Sequence, residues 1–306
     1  MILLGNLDVE SHWARLLAPD RPPVVLPEAV LRRISAAATL LRVYASDGDR
    51  IWTPRPVDPD RVPDVVGLTR PELIAGPAPR EAQIEWGQRG LLAARLNHKG
   101  WIRDLRGAEV EEIRSIEQLE GAWLLKDPLG AAGRGHLRGE GAPDEKQRRA
   151  IERRLERFGS LIREPWIERV ADFGCAARVA NGETEFLGLH RLLVDERGRF
   201  EGIGMDAHGL AAGEERQLRA MTAEVGARLI AAGYRGLFGI DACRDVAGEF
   251  HPLLEVNVRL TFGHVAWALA RRLGAGELRF GAAVPDGGVP LLLPSETERV
   301  AAWIRV

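Results

Sequence analysis

Three oxygen-bearing side chains, Asp241, Glu255 and Asn257, lie close together in the C-terminal third of the sequence. The segments Phe238–Ala242 and Pro252–Val258 alternate apolar and small residues as β-strands do, and a charged turn joins them. Glu255 and Asn257 are two residues apart, so on a strand they point to the same face. Carboxylate and amide oxygens are the ligands that Mg²⁺ prefers. The pattern indicates a magnesium site; the alternative is a half-exposed hairpin with ordinary surface acids.

A second candidate combines a lysine with a glycine-rich loop. Lys126 ends a predicted strand, and the sequence DPLGAAGRGHLRGEG follows it. Glycine allows backbone N–H groups to approach phosphate oxygens, and the lysine adds a positive charge for the same anion. The loop matches neither the P-loop nor the dinucleotide-binding pattern, and a flexible turn is the alternative. We predict phosphate binding by Lys126, Gly130, Gly133, Arg134 and Gly135.

The segment EPWIERVADFG follows the predicted strand Leu161–Glu164. A strand that leads into an extended, partly apolar linker can present backbone N–H and C=O groups to a flat ring. Its acids Glu164, Glu168 and Asp172 can accept hydrogen bonds from an amino group and from ribose hydroxyls. Taken alone, a loop with acids is the simpler interpretation.

Three more polar residues, Arg178, His190 and Arg191, lie on predicted antiparallel strands. Either arginine can reach a phosphate or a substrate carboxylate, because the guanidinium group binds both in a bidentate manner. A lone histidine on such a strand is more often a structural hydrogen-bond donor, and we interpret His190 in that way.

The elements that must position these residues begin with an N-terminal alternation of strands and helices, which favours a small open α/β lobe. The apolar patterns and turn residues predict strands at Ile2–Leu4, Val24–Leu26, Leu40–Ala45 and Val65–Leu68, and helices at Glu10–Leu17, Glu28–Ala38 and Glu81–Leu96.

The rest of the chain is predicted to be mixed helix and strand. Beyond the segments already named, the patterns predict helices at Glu145–Arg157, Glu214–Ala232 and Phe262–Leu273, strands at Trp123–Lys126, Cys175–Val179, Glu185–Leu193, Phe200–Ile203 and Val289–Leu293, and a short helix near the C-terminus.

Composition excludes several classes of function. The chain has 306 residues and a formal net charge of −2, so there is no electrostatic case for nucleic acid or an anionic membrane as a partner. No apolar run approaches the roughly 20 residues of a membrane span. The start lacks the features of a signal peptide, and Cys175 and Cys243 have no metal-ligand spacing. A cytoplasmic protein of two or three lobes is the default expectation.

The order of the parts resembles the ATP-grasp superfamily. Lys99 precedes an amphipathic stretch, Lys126 carries the glycine loop, and the EPWI segment, a strand-borne aspartate, ExN and Arg259 follow. The similarity covers roughly residues 97–275. It implies an α/β fold class with α+β lobes: an ATP-grasp fold with an N-terminal open α/β (pre-ATP-grasp) lobe. The implied domains are 1–97, a small lobe at 98–164 with the glycine loop, and a C-terminal lobe at 165–306 with the metal site.

The resemblance also implies roles for individual residues. Lys99 and Lys126 would hold the nucleotide phosphates, and the loop from Gly130 to Gly135 would close over them. Glu164, Trp166 and Ile167 would belong to the adenine hinge, and Glu168 or Asp172 would bind the ribose. Asp241, Glu255 and Asn257 would ligate one or two Mg²⁺ ions, with Mn²⁺ as a substitute. Arg259 would contact the transferred phosphate or the substrate, and Arg178 is a further catalytic candidate.

Two features depart from the family pattern. The interval between Lys99 and Lys126 is short, which makes Lys99 the weaker assignment. Val258 follows Asn257 where related enzymes often have proline, which says little about metal binding.

Most enzymes of the superfamily activate a carboxylate as an acylphosphate, which an amine or thiol then attacks. The resemblance therefore implies a carboxylate–amine ligase that uses ATP and Mg²⁺, acts on small, amino-acid-like molecules and releases ADP and phosphate. A small-molecule kinase on the same scaffold and a non-catalytic nucleotide-binding protein are the alternatives. Dimers are common in the superfamily, so a homodimer is a further expectation.

Overall fold

A computed structural model describes residues 1–107, 110–130, 136–195, 199–205, 208–296 and 298–306. Within these residues the chain forms three β-sheets, of four, four and eight strands. Across the same residues, no helix combines the length and the apolar character that a membrane span requires.

The first sheet is parallel and belongs to the N-terminal segment. Its strands are β1 (Ile2–Leu4), β2 (Arg50–Trp52), β3 (Glu72–Ile74) and β4 (Ile84–Glu85), in the order β3-β2-β1-β4, and the helices of this segment are α1 (Val9–Leu17), α2 (Glu28–Ala38) and α3 (Leu91–Leu96). The predicted strand at Ile2–Leu4 and helix at Glu28–Ala38 are confirmed.

Four predictions for this segment were wrong. Val24–Leu26 belongs to no sheet and Val65–Leu68 is a turn; prolines at 22, 23 and 27 surround the former, and proline offers no N–H to a ladder. Leu40–Ala45 lies mostly in a 3-10 helix, Thr39–Tyr44, whose apolar residues are buried, because a short buried apolar run does not distinguish helix from strand. The helix predicted at Glu81–Leu96 is present only as α3, because residues near the start of this segment form strand β4.

The second sheet is antiparallel and carries Lys126 and Glu164. It consists of β5 (Glu111–Ile113), β6 (Ala122–Lys126), β7 (Leu137–Glu140) and β8 (Leu161–Glu164), in the order β5-β8-β6-β7. Helix α4 (Glu145–Phe158) begins at a capping box between Asp144 and Gln147 and ends at Gly159, which has a left-handed backbone. Trp123, Leu125, Ile151 and Leu161 give this sheet and helix an apolar core of their own.

The third sheet carries the predicted metal residues. Its strands are β9 (Arg169–Ala180), β10 (Glu183–Val194), β11 (Phe200–Gly204), β12 (Gly236–Asp245), β13 (Phe250–Asn257), β14 (Glu277–Gly281), β15 (Val289–Leu292) and β16 (Ala301–Arg305), in the order β13-β12-β9-β10-β11-β14-β16-β15. The predicted hairpin of β12 and β13 is confirmed, with the register Asp241 opposite Glu255.

Two helices cover opposite faces of the large sheet. Helix α5 (Ala212–Ala231) packs Val225 against Cys175 and its neighbours on β9. Helix α6 (Phe262–Leu273) places Gly263 against His190, whose partner on β9 is Gly174. Because Gly174 and Cys175 are consecutive, they face opposite sides of the sheet. We call the side of Gly174, which α6 covers, the α6 face.

The two ends of the described chain share one apolar core. Leu3 and Ile51 of the parallel sheet pack in the same cluster as Leu278 and Ile304 of the large sheet.

The predicted helix near the C-terminus was wrong: Ala301–Arg305 is strand β16, which lies between β14 and β15 with Ala301–Ile304 buried. Its short run of buried apolar residues again left helix and strand indistinguishable.

Candidate active site

The three predicted metal residues meet on the α6 face of the large sheet. Asp241 lies opposite Glu255, and Asn257 lies opposite Gly239, one step along the same hairpin. The Asn257 amide Nδ2 donates a hydrogen bond to Asp241 Oδ2 at 3.1 Å. Sequence spacing and structure therefore agree on the position of these three side chains.

Electrostatics distinguish the two carboxylates. Burial, and then the charge of Glu255, raise the pKa of Asp241 to about 7. Burial would also raise the pKa of Glu255, but the charges of Lys99 and Lys126 outweigh it and lower this pKa to about 2. Glu255 thus has two lysines beside it, whereas the negative charge of Asp241 is less well balanced by positive charge. Two adjacent carboxylates of this kind form a set of oxygen donors that fits a hard divalent cation. The Asn257 amide nitrogen faces Asp241. To bind a cation through its oxygen, the amide group would have to turn over so that the oxygen takes the place of the nitrogen.

Lys99 and Lys126 lie beside these acids. Lys99 begins a 3-10 helix, Lys99–Leu105, and its Nζ is 2.5 Å from Glu255 Oε1. Lys126, at the end of β6, contacts Glu164 and is close enough to Glu255 and Lys99 to interact with their charges. Burial lowers the pKa of Lys126. The structure thus brings both predicted phosphate-binding lysines to the predicted metal residues.

The glycine loop begins at this point. The Gly130 N–H donates to the Asp127 carbonyl at 3.1 Å, and the Lys99 N–H donates to the Pro128 carbonyl at 2.9 Å, which connects the base of the loop to Lys99. Gly133, Arg134 and Gly135, which were predicted to bind phosphate, lie outside the described residues. His136 follows them; burial and the charges of Lys126 and Lys99 lower its pKa to about 4, so its imidazole is neutral at pH 7.

The predicted adenine hinge connects the two antiparallel sheets. The Glu164 carboxylate is buried between Lys126 and Arg106, whose Nη1 is 2.5 Å from Glu164 Oε2. Both of its oxygens are thus paired with cations, so the Glu164 side chain has no free oxygen for an amino group. Trp166 is exposed, with the Arg138 guanidinium 5.0 Å from its ring centre.

Ile167 is partly buried in the same short linker, which ends where β9 begins. The two ribose candidates occupy different positions. The Glu168 side chain is exposed, and its carbonyl accepts a hydrogen bond from the Val246 N–H at 3.0 Å. Asp172 lies on the α6 face, two residues from Gly174, the partner of Asp241. Its carboxylate accepts from Arg169 at 2.7 Å, and burial raises its pKa. Asp172 is therefore the candidate that lies near Asp241 and the other predicted metal residues.

The two predicted arginines differ in position. Arg259 contacts Glu10 of α1, donates to Asn257 Oδ1 at 3.2 Å and lies 5.9 Å from the Trp13 ring centre. Arg178 is four residues from Gly174 along β9, about 13 Å at strand spacing, and it is paired with Glu185 at 2.5 Å. The structure therefore does not bring Arg178 to the site, because the regular rise of β9 carries it past the edge of the cluster.

Three residues of the site were not found from the sequence: Glu10, Arg106 and His136. Glu10 and Arg259 are separated by 249 positions, and no local pattern links them. Arg106 follows the 3-10 helix that Lys99 begins, so a test for basic residues one or two turns after Lys99 would have selected it.

Comparison with known proteins identifies the architecture. No protein-family model matches the sequence. A solved ATP-grasp superfamily protein from Archaeoglobus fulgidus is 15% identical and aligns over 100% of this chain and 98% of its own, with a TM-score of 0.54. The chain has the ATP-grasp fold. The ATP-grasp fold expected from the sequence, and with it the predicted α/β fold class, is confirmed.

Two further proteins are similar to parts of this chain. The biotin carboxylase domain of Hydrogenobacter thermophilus 2-oxoglutarate carboxylase, solved with MgADP, ADP and bicarbonate, is 16% identical over 72% of the chain and 64% of its own length, with a TM-score of 0.52. The [butirosin acyl-carrier protein]–L-glutamate ligase of Niallia circulans is 26% identical over 141 residues. That match spans 45% of the ATP-grasp chain and a third (33%) of the curated relative.

Proposed function

We propose that this ATP-grasp chain is an ATP-dependent carboxylate–amine ligase that acts on small, amino-acid-like molecules and releases ADP and phosphate. The proposal depends on one observation. Two lysines, Lys99 and Lys126, lie in the same cluster as the predicted metal residues Asp241, Glu255 and Asn257. Such a cluster offers oxygen ligands for a cation next to positive charges for phosphate.

The chain's own residues account for binding and orientation of the nucleotide. Lys99 and Lys126 would bind the phosphate oxygens, and the backbone of the hinge would meet the adenine ring. Asp172 would bind the ribose. Asp241, Glu255 and Asn257 would hold Mg²⁺, which supplies charge neutralisation for the phosphates when it is bound.

In the proposed reaction, a carboxylate oxygen of the substrate attacks the γ-phosphorus of ATP, and ADP leaves. The amine nitrogen then attacks the carbonyl carbon of the acylphosphate, phosphate leaves and the amine loses a proton. Arg259 would orient the carboxylate or the transferred phosphate, since its guanidinium lies beside Asn257. No covalent intermediate with a protein side chain is required.

The lobes would divide this work. We propose that residues 98–164 and 165–306 bind the nucleotide between them, and that residues 1–97 contribute to the substrate site. Glu10 supports the second part, because this N-terminal residue contacts Arg259. The name of the Niallia circulans relative, a ligase that acts on an acyl-carrier protein and L-glutamate, supports a carboxylate–amine ligase with an amino acid as one substrate.

Phosphorus NMR tests the proposal. The protein is incubated with Mg·ATP and with pools of carboxylates and amines, separately and together. ADP and free phosphate are expected only when both pools are present. A stable phosphate ester would instead identify a kinase, and AMP with pyrophosphate would exclude the acylphosphate route. The Lys126→Ala variant should be inactive, and Lys146→Ala, which removes an exposed lysine of α4, should retain activity.

A further inference from the structure

Two buried histidines lie between helix α6 and the large sheet, and they differ in their hydrogen bonds. His264, in the first turn of α6, has a partner at each nitrogen: Nδ1 is 2.8 Å from the Thr261 hydroxyl, and Nε2 is 3.1 Å from the Ala177 carbonyl. His190, on β10, is 4% exposed, and neither of its ring nitrogens has a hydrogen-bond partner among the described residues. His190 is therefore not the structural donor expected from the sequence. A buried polar group without a partner costs free energy, which favours a functional role for this ring.

The His190 ring extends towards the metal residues. Gly174 is the strand partner of His190 on one side and of Asp241 on the other. A Cβ on Gly174 would be 2.4 Å from His190 Nε2, which is the ring atom closest to it. The imidazole thus lies over Gly174, with Nε2 on the path to Asp241. Cβ atoms of directly opposite strand residues are about 4.5–5.5 Å apart, so Nε2 is within about 8 Å of the Asp241 Cβ.

Packing on the other side fixes the orientation of the ring. A Cβ on Gly263 would be 2.5 Å from His190 Cε1, so α6 holds the imidazole against Gly174. Of the two unpaired nitrogens only Nδ1 is fully buried. Because no acceptor lies at Nδ1, the favoured tautomer carries its proton on Nε2. Burial, and then the charge of His264, lower the pKa of His190 to about 3, so the ring is a weak base that stays neutral at pH 7.

A neutral imidazole with its N–H group beside a metal and phosphate site is suited to an oxygen that gains negative charge during the reaction. We propose that His190 is a catalytic residue of the ligase, and that its Nε2–H group donates a hydrogen bond to the carbonyl oxygen of the acylphosphate. When the amine nitrogen attacks the carbonyl carbon, the π electrons of the C=O bond move to this oxygen, and they return as phosphate leaves. The amine proton goes to solvent, and His190 keeps its own proton throughout. The inference rests on the proposed function and adds a residue to it.

Binding of acetylphosphonate, a non-hydrolysable analogue of an acylphosphate, tests this inference in the presence of Mg·ADP. Long-range proton–nitrogen NMR of the histidine rings should show the Nε2–H tautomer of His190. The analogue should move this proton downfield and leave the His264 signals in place. By calorimetry, His190→Leu should weaken analogue binding roughly 10- to 100-fold, as expected for the loss of one hydrogen bond to a charged ligand. His190→Gln, whose amide can donate in place of Nε2–H, should retain most of the affinity.

Stability separates a catalytic role from a structural one. Since the His190 ring makes no hydrogen bond within the described chain, His190→Leu should melt within a few degrees of the parent. The control His12→Gln, at an exposed position of α1, should bind the analogue like the parent.

Three outcomes would overturn the inference: unmoved His190 signals, parent-like analogue affinity in His190→Leu, or a large fall in the melting temperature of both His190 variants. The effect of Mg·ADP on the melting temperature is measured on the same samples. A shift by Mg·ADP together with any of these outcomes would overturn the role of His190 alone. The absence of any shift would count against the proposed function itself.

Discussion

Each cation of the candidate active site is paired with an acid from a distant part of the chain. Lys99 contacts Glu255, Lys126 contacts Glu164, and Arg259 contacts Glu10. These pairs are mostly shielded from water, where an unpaired charge is costly. The side chains that would bind nucleotide and metal are therefore held in place by one another before any ligand arrives.

Glu255→Gln should separate chemistry from stability. The substitution removes one of the proposed metal ligands and a negative charge, so we expect turnover to fall about 100-fold or more. Glu255 is 24% exposed, the substitution also relieves its repulsion of Asp241, and the glutamine oxygen can still accept a hydrogen bond from Lys99. The free energy of unfolding should therefore fall by no more than about 1–2 kcal/mol, less than for the more deeply buried Glu164. ADP release and urea unfolding are the two measurements. An unfolded variant would mean that Glu255 is a structural residue.

Glu164→Gln should affect stability more than a substitution at its neighbour in the hinge. Glu164 is held between Lys126 and Arg106, and breaking a buried ion pair costs about 3–5 kcal/mol of unfolding free energy. Glu168→Gln removes the same charge from an exposed position and should change the free energy by less than about 0.5 kcal/mol. Urea titration of both variants provides the comparison, and similar losses would show that the pairing of Glu164 contributes little.

At the scale of elements, the sequence was most informative where local chemistry decides the outcome. Helix α6 and strand β8 have the predicted bounds, because the helix has an amphipathic pattern ending at Gly274 and the strand lies between Gly159, which ends α4, and Pro165. Leu40–Ala45 and Ala301–Arg305 were assigned wrongly, since both are short apolar runs whose conformation depends on the surrounding core. The pairing of Arg259 with Glu10 could not be predicted either, because the two residues are 249 positions apart and meet only in the folded chain.

Gly263→Ala should disturb the way α6 meets the sheet. Alanine favours a helix, but its Cβ would be 2.5 Å from the buried His190 ring, which Gly174 confines from the other side. Overpacking of this kind costs about 1–3 kcal/mol. Gly213→Ala in α5 is the matched control: its nearest neighbour is an Arg216 side-chain nitrogen at 3.9 Å, so the variant should gain up to about 1 kcal/mol. Thermal unfolding measures both, and a stabilised Gly263→Ala would contradict the packing at His190.

At the scale of the whole molecule, the N-terminal sheet and the last strands depend on each other. Arg61 donates to the Leu293 carbonyl and pairs with Glu298 at 2.5 Å, in addition to the apolar core that the two regions share. The small sheet with Lys126 has a separate core. The candidate active site thus lies where a sheet with its own core meets the rest of the described chain.

Mg·ADP should stabilise the whole protein by mass action. At a ligand concentration of 100 times Kd, the free energy of unfolding rises by about 2.7 kcal/mol. A thermal shift of several degrees is therefore expected, and EDTA should remove most of it. The Lys126→Ala protein should show little shift at the same ligand concentration, whereas the Lys146→Ala protein should respond like the parent. Equal shifts in all three proteins would place the nucleotide elsewhere.

The contact between Lys99 and Glu255 has a consequence for the order in which ligands bind. A divalent cation that arrives alone must take Glu255 from Lys99 and leave the ammonium group without its counter-ion. A nucleotide that arrives alone must take Lys99 and leave the carboxylate. When both ligands bind, the released Glu255 carboxylate contacts the cation and the released Lys99 ammonium group contacts the phosphates. We therefore expect positive heterotropic cooperativity of about 1–3 kcal/mol, with each ligand raising the affinity of the other by the same factor.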